Sequence, residues 1–204
     1  IRVRDHLAEV DAFPMGIDYD RFRDAALKPE NVEKREALRA TVGGRKMIVS
    51  VDRLDYSKGI AHRLRGYEHF LKTCPHWHKK VVLALVLVPS REGVDQYQTM
   101  KRQIDEAIGR INGRYGSLDW TPISYQYTSL PFDELVAFYA AGDVALVTPL
   151  RDGMNLVAKE YVACCVDERG VLILSEMAGA SHELGEAITI NPATREEVAQ
   201  ALET

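Results

Sequence analysis

Apolar residues along this chain fall into two rhythms. Predominantly apolar runs of strand length occupy residues 47–51, 81–88, 144–147 and 171–174, and more mixed strand-like stretches fall at 122–127 and 187–190. Between them apolar positions recur at steps of three and four, the spacing of one face of a helix. The stretch 94–112 shows this most plainly, with Tyr97, Met100, Ile104, Ile108 and Ile111 on one face. The pattern predicts helices over 60–72, 94–112, 132–141 and 155–165, and another opening at Thr194. A further amphipathic helix is predicted in PENVEKREALRATVGG (29–44), closed by its glycine pair. Residues 10–28, with Pro14 and Gly16 beside aromatics, read as a strand end and a crossing connector.

Strands that are apolar throughout and alternate with helices imply a mostly parallel sheet buried on both faces. The expected fold is therefore α/β and Rossmann-like. Ligands in such sheets bind beyond the carboxyl ends of the strands, so the loops after residues 51, 88, 127, 147 and 174 are where chemistry belongs.

Composition narrows the partners. A chain of 204 residues, 46% hydrophobic and 27% charged, supplies the core of one domain and excludes disorder. A net charge of -4 creates no general field toward nucleic acid or anionic membranes, so phosphate binding falls to local cations. The longest apolar run, VVLALVLVP, is strand length and far short of a membrane span, and the opening residues do not read as a signal peptide. A cytoplasmic protein is expected, without membrane or nucleic-acid partners. The three cysteines lack CxxC spacing, and Cys164 and Cys165 fall on an apolar helix as small buried residues of a reducing compartment. The HWH at 76–78, followed by two lysines, reads as a surface loop, so neither metal nor cofactor is expected. The chain begins with Ile in mid-pattern, which reads as a fragment.

Three loops carry candidate chemistry. In DRLDYSKGI (52–60), Arg53 and Lys58 flank a strand-to-helix turn. Either they grip a diphosphate beside the helix start, or they are loop cations paired with Asp52 and Asp55. The segment is neither a Walker loop nor GxGxxG, which argues against a plain NAD-binding domain. PSREGVDQY (89–97) places Arg91 in the equivalent loop of the next strand, as a site cation or a surface one. In TPLRDGMNLVAKEYVA (148–163), Gly153 permits an unusual backbone angle and Asn155 can cap the following helix. Backbone donors combined with the Asp152 carboxylate suit a polyhydroxylated ring, unless Asp152 itself is the cap. Glu160 is an acceptor for a ribose hydroxyl pair or a solvated residue beside Lys159, and Arg151 reads as structural. Farther on, Gly179 allows close backbone approach, and His182 reads as a satisfied structural histidine.

Taken in order, VDRLDYSKGI, PSREGVDQY, GRINGRYGSLDWTPI and LVTPLRDGMNLVAKEYVA resemble the trehalose-6-phosphate synthases. Those are retaining glycosyltransferases of the GT-B fold, with two Rossmann-like domains facing across a cleft. The resemblance runs from about AFPMGID to NPATREEVAQAL and covers the carboxyl-side, donor-binding half. It implies an interdomain connector over 1–28 and a nucleotide-sugar-binding domain over 29–204, with the amino-terminal acceptor domain and the final helices lying outside. Arg53 and Lys58 would hold the donor diphosphate. Asp152 and the backbone at Gly153, Met154, Asn155 and Leu156 would contact the transferred glucose, Val157 would complete the donor site, Glu160 would take the ribose hydroxyls, and Arg91 the acceptor's phosphate. Arg53, Lys58 and Asp152 form the implied catalytic set. The implied reaction moves glucose from UDP-glucose, or another nucleotide-glucose, to glucose 6-phosphate with retention. The leaving phosphate oxygen takes the acceptor proton, so no protein nucleophile or cofactor is required.

QYTSLPFDELVAFYAAGDVALV departs from the usual wording and is similar to the glucosylglycerol-phosphate synthases, whose acceptor is glycerol 3-phosphate. A catalytically silent, sugar-nucleotide-sensing relative is the reading from another class. The family resemblance also leaves room for a homo-oligomer of the full-length enzyme.

Overall fold

The computed structural model describes residues 2–3, 6–7, 9, 11, 13–90 and 93–204. A short antiparallel pair, β1 (Arg2–Val3) and β2 (His6–Leu7), precedes α1 (Tyr19–Leu27) and α2 (Pro29–Thr41). The main sheet is built from β3 (Lys46–Arg53), β4 (Val81–Val88), β5 (Ile123–Tyr127), β6 (Val144–Val147), β7 (Val171–Ser175) and β8 (Ile188–Ile190). Its crossovers carry α3 (Ile60–Thr73), α4 (Asp95–Tyr115), α5 (Phe132–Ala141) and α6 (Leu156–Cys164), and α7 (Arg195–Glu203) follows the last strand.

Every pairing in this sheet is parallel, and the strand order is β5-β4-β3-β6-β7-β8. The helices pack as two layers, α3 with α4 and α7, and α1 with α2, α5 and α6. The fold is thus the expected Rossmann-like α/β sheet. Counting only these six strands, the order is 3-2-1-4-5-6, in which the chain reverses its direction of winding between β3 and β6. That reversal opens a crevice at the carboxyl ends of β3 and β6, where DRLDYSKGI and TPLRDGMN emerge.

Why the strands form is visible in their burial: β4 is buried from Val81 to Leu87, and β3 from Met47 to Asp52. On α4 the expected face is the packed one, with Tyr97, Ile104, Ile108 and Ile111 buried and Met100 partly so. Layers approach closely where α3 meets α7, since a Cβ on Gly66 would lie 2.5 Å from Val198.

One expectation is corrected. Residues 19–27, read as connector, form a helix capped by the Asp18 carboxylate, which accepts from Arg21 N at 3.1 Å. Phe22, Ala25 and Ala26 bury its inner face, and the Phe22 ring meets Phe132 edge-on at 5.2 Å. Cys164 is buried and Cys74 and Cys165 are half-buried, all as free thiols. No helix among the described residues is long and apolar enough to cross a membrane.

Candidate functional site

The turn after β3 is a single 3-10 turn, Tyr56–Lys58, whose start is capped by Asp55 accepting from Ser57 N at 2.9 Å. It ends at Gly59, which adopts φ +66°. A Cβ there would lie 2.6 Å from the Thr148 carbonyl oxygen, so only glycine lets the two loops approach. The loops are also stitched together by Leu150 N and Arg151 N, which donate to the Ser57 carbonyl at 2.7 and 3.2 Å.

This seam brings Lys58 to Asp152. Lys58 Nζ lies 2.5 Å from Asp152 Oδ2, with both side chains more than four-fifths buried. Asp152 is fixed further by Asn155 Nδ2, which donates to the same oxygen at 3.0 Å. Its backbone donates to Met177 O at 3.1 Å and accepts from Gly179 N at 3.1 Å. Asp152 therefore does not cap α6. That role belongs to Asn155, whose Oδ1 accepts from Ala158 N at 3.1 Å while its backbone sits at φ +73°. With Ala158 N occupied, the N–H groups of Leu156 and Val157 remain at the helix start without intrahelical acceptors. A helix start of this kind carries the positive end of the dipole, which favours anions.

Arg53 ends β3, is exposed, and makes no side-chain hydrogen bond or ion pair among the described residues. Among the described residues, Arg53 and Lys58 form no ion pair with Asp52 or Asp55. Asp52 instead meets Arg63 Nη1 at 2.6 Å, and Lys58 meets Asp152. Glu160 lies more than one turn into α6, half-buried, with Oε2 accepting from Tyr139 Oη at 2.9 Å. Burial pushes its carboxyl above the ordinary value, against the opposing Tyr139 hydrogen bond. Arg91 lies outside the described residues. Arg151 is exposed and holds the loop through its backbone alone among the described residues. Gly179 does allow a close approach, to the backbone of Gly153, whose oxygen would lie 2.1 Å from an added Cβ. His182 is exposed rather than packed.

A buried polar cluster supports the crevice and escaped the sequence reading. Arg63, wholly buried on α3, donates to Ser50 Oγ at 2.6 Å, Thr148 Oγ1 at 2.9 Å and the Lys58 carbonyl at 3.2 Å. Burial pushes the Asp52 carboxyl above its ordinary value, while Arg63 and then Lys58 pull it down. The signal was present: Arg63 interrupts the apolar stripe Ile60, Leu64, Tyr67, Leu71 at a core position.

What the arrangement offers is chemical as well as geometric. Lys58, Asp152 and Asn155 meet at the carboxyl ends of β3 and β6, with the exposed Arg53 closing β3 and Glu160 one turn into α6, residue types suited to an anionic, hydroxyl-rich ligand.

The family model for glycosyltransferase family 20 matches residues 1–204. The chain is 52% identical to a bifunctional trehalose-6-phosphate synthase/phosphatase of Thermoproteus tenax, covering 99% of this chain and 28% of that protein. It is 46% identical to an alpha,alpha-trehalose-phosphate synthase (UDP-forming) of Candida albicans, covering 99% of this chain and 42% of the relative. Among solved structures, it superposes on the Burkholderia xenovorans alpha,alpha-trehalose-phosphate synthase (UDP-forming) in complex with glucose-6-phosphate, with a TM-score of 0.91 and 42% identity. That match covers 95% of this chain and 43% of the other. A structure from E. coli bound with UDP-2-fluoro glucose matches at a TM-score of 0.86 and 42% identity, over 92% of this chain and 42% of the other. The chain thus spans less than half the length of each of these proteins.

Proposed function

The chain belongs to glycosyltransferase family 20, and from that premise we propose that it is the donor-binding part of a retaining glucosyltransferase that moves glucose from UDP-glucose to glucose 6-phosphate, giving trehalose 6-phosphate. The observation that carries this reading is the Lys58–Asp152 pair at the switch point, flanked by Arg53 and the open helix start of α6.

In this reading the donor diphosphate draws Lys58 from Asp152 and is gripped jointly with Arg53, whose planar fork suits two phosphate oxygens. Asp152, held by Asn155, turns to the glucose hydroxyls, together with the backbone from Gly153 to Val157. Glu160 accepts from the ribose hydroxyls. As the C1–O bond to the β-phosphate breaks, charge grows on the leaving diphosphate, and Arg53 and Lys58 stabilise it where it develops. The acceptor hydroxyl attacks C1 from the same face and gives its proton to the departing phosphate oxygen. Bond, charge and proton balance without a protein nucleophile. Arg91 is assigned to the acceptor phosphate, and the intact protein acts in the cytoplasm.

The test is UDP release by the full-length protein from UDP-glucose, with glucose 6-phosphate or glycerol 3-phosphate as acceptor. UDP release that depends on glucose 6-phosphate, with a trehalose 6-phosphate product, supports the reading. Dependence on glycerol 3-phosphate alone transfers it to glucosylglycerol-phosphate synthesis, and donor binding without any transfer marks a sensor.

A further inference from the structure

Arg63 is among the largest side chains that the protein buries completely, and an ion pair is a poor choice for stability alone. Well-packed apolar residues of similar volume generally stabilise a fold as well as a buried pair or better. Position offers another reason. The Arg63 guanidinium spans both halves of the site seam: Asp52 Oδ2 and Ser50 Oγ on β3, Thr148 Oγ1 at the end of β6, and the carbonyl of Lys58 itself. The Thr148 carbonyl is the group that Gly59 must clear, and Lys58 is the residue that meets Asp152.

We propose that Arg63 is a positioning residue for the donor chemistry, locking the Lys58 turn to the end of β6 so that Lys58 and Asp152 face the same ligand. This rests on the donor-site reading given above. The lock needs a fork. A lysine at the same place keeps a positive charge opposite Asp52, but its single nitrogen cannot reach Thr148, Ser50 and the Lys58 carbonyl in the directions that the guanidinium spans. Thr148→Val removes one arm from the other side, and Thr148→Ser keeps the hydroxyl that the arm requires.

The experiment compares full-length wild type with Arg63→Lys, Thr148→Val and Thr148→Ser, at a temperature where thermal melts show all of them folded. Two quantities are read: kcat with KM for each substrate, and hydrogen exchange of the Leu150 and Arg151 amides, which bond to Ser57 O only while the turn is in register. Arg63→Lys and Thr148→Val are expected to lower kcat about 10- to 100-fold, as displacement of a positioned group does. They should also speed amide exchange at 150–151 and leave the acceptor KM unchanged, and Thr148→Ser should return most of both signals. Folded variants with wild-type kcat and wild-type exchange overturn the proposal, since a merely structural Arg63 would move only the melting temperature. If Arg63→Lys does not fold, the Thr148 pair decides by the same two readouts. If wild type itself transfers no glucose, the donor reading fails separately. Exchange at 150–151 then decides the lock, faster exchange supporting it and unchanged exchange ending it.

Discussion

At the residue scale, the carboxylates of the crevice divide the work by their surroundings. Asp152 is tied to Lys58 and Asn155 and is aimed by them, whereas Glu160 is hydrogen-bonded only by Tyr139 among the described residues. Because the Lys58–Asp152 pair keeps some contact with solvent, Asp152→Ala should cost only about 1 to 2 kcal/mol of stability. Transfer should fall by about 100-fold or more if the carboxylate orients the reacting sugar. Thermal melts beside steady-state rates make the comparison, and losses of equal size in free energy would remove Asp152 from the site. Glu160 leads to a pH prediction. Only an ionised carboxylate would accept from both hydroxyls of a ribose, and burial raises the Glu160 pKa, so protonation begins at a higher pH than for an exposed glutamate. The advantage of wild type over Glu160→Gln in UDP affinity should be largest above that pKa and shrink as pH falls toward the ordinary carboxylate range. A ratio that stays constant between pH 8 and about 5 would separate Glu160 from the nucleotide.

At the scale of elements, the glycines show which loop contacts are structural necessities. Gly59 must hold φ +66° with the Thr148 carbonyl against its Cα, so Gly59→Ala should destabilise the protein by about 2 kcal/mol or more. Gly109, exposed inside α4 with nothing within 4 Å of an added Cβ, gives the opposite sign. Gly109→Ala should stabilise by about 0.5 to 1 kcal/mol through helix propensity. Denaturant melts of the two variants check both signs together. Much of this architecture was legible beforehand, because β4 and α4 have periodicities that only one kind of element satisfies. Helix α1 was not, since Pro14, Gly16 and the aromatics around them masked a short amphipathic segment whose cap, Asp18, looks like any loop aspartate. The site divided along the same line. Local turn chemistry drew attention to Lys58 and Asp152, which meet in space across 94 residues of sequence. The Arg63 cluster depends on which side of α3 faces β3 and β6, and that is tertiary information.

At the scale of the whole molecule, the crevice residues come from within one sheet. Lys58, Asp152, Asn155 and Glu160 all hang from β3, β6 and α6, and their supports at Arg63, Thr148 and Gly179 belong to the same unit. Every contact seen at the Lys58–Asp152 seam among the described residues lies within this unit, whereas an acceptor sugar facing these groups across a cleft would need a second domain. Donor binding and turnover should therefore separate. Calorimetric titration of residues 1–204 with UDP and UDP-glucose should show binding, and an Arg53→Ala, Lys58→Ala double variant with an unchanged melting profile should lose it. The same 204 residues, mixed with UDP-glucose and glucose 6-phosphate, should release UDP at less than about one-hundredth of the full-length rate, because the acceptor is no longer held in line for attack. If instead UDP binds only to the full-length protein, the seam is assembled by contacts from outside this unit. Lys58 and Asp152 would then owe their 2.5 Å approach to each other and not to a preformed donor site.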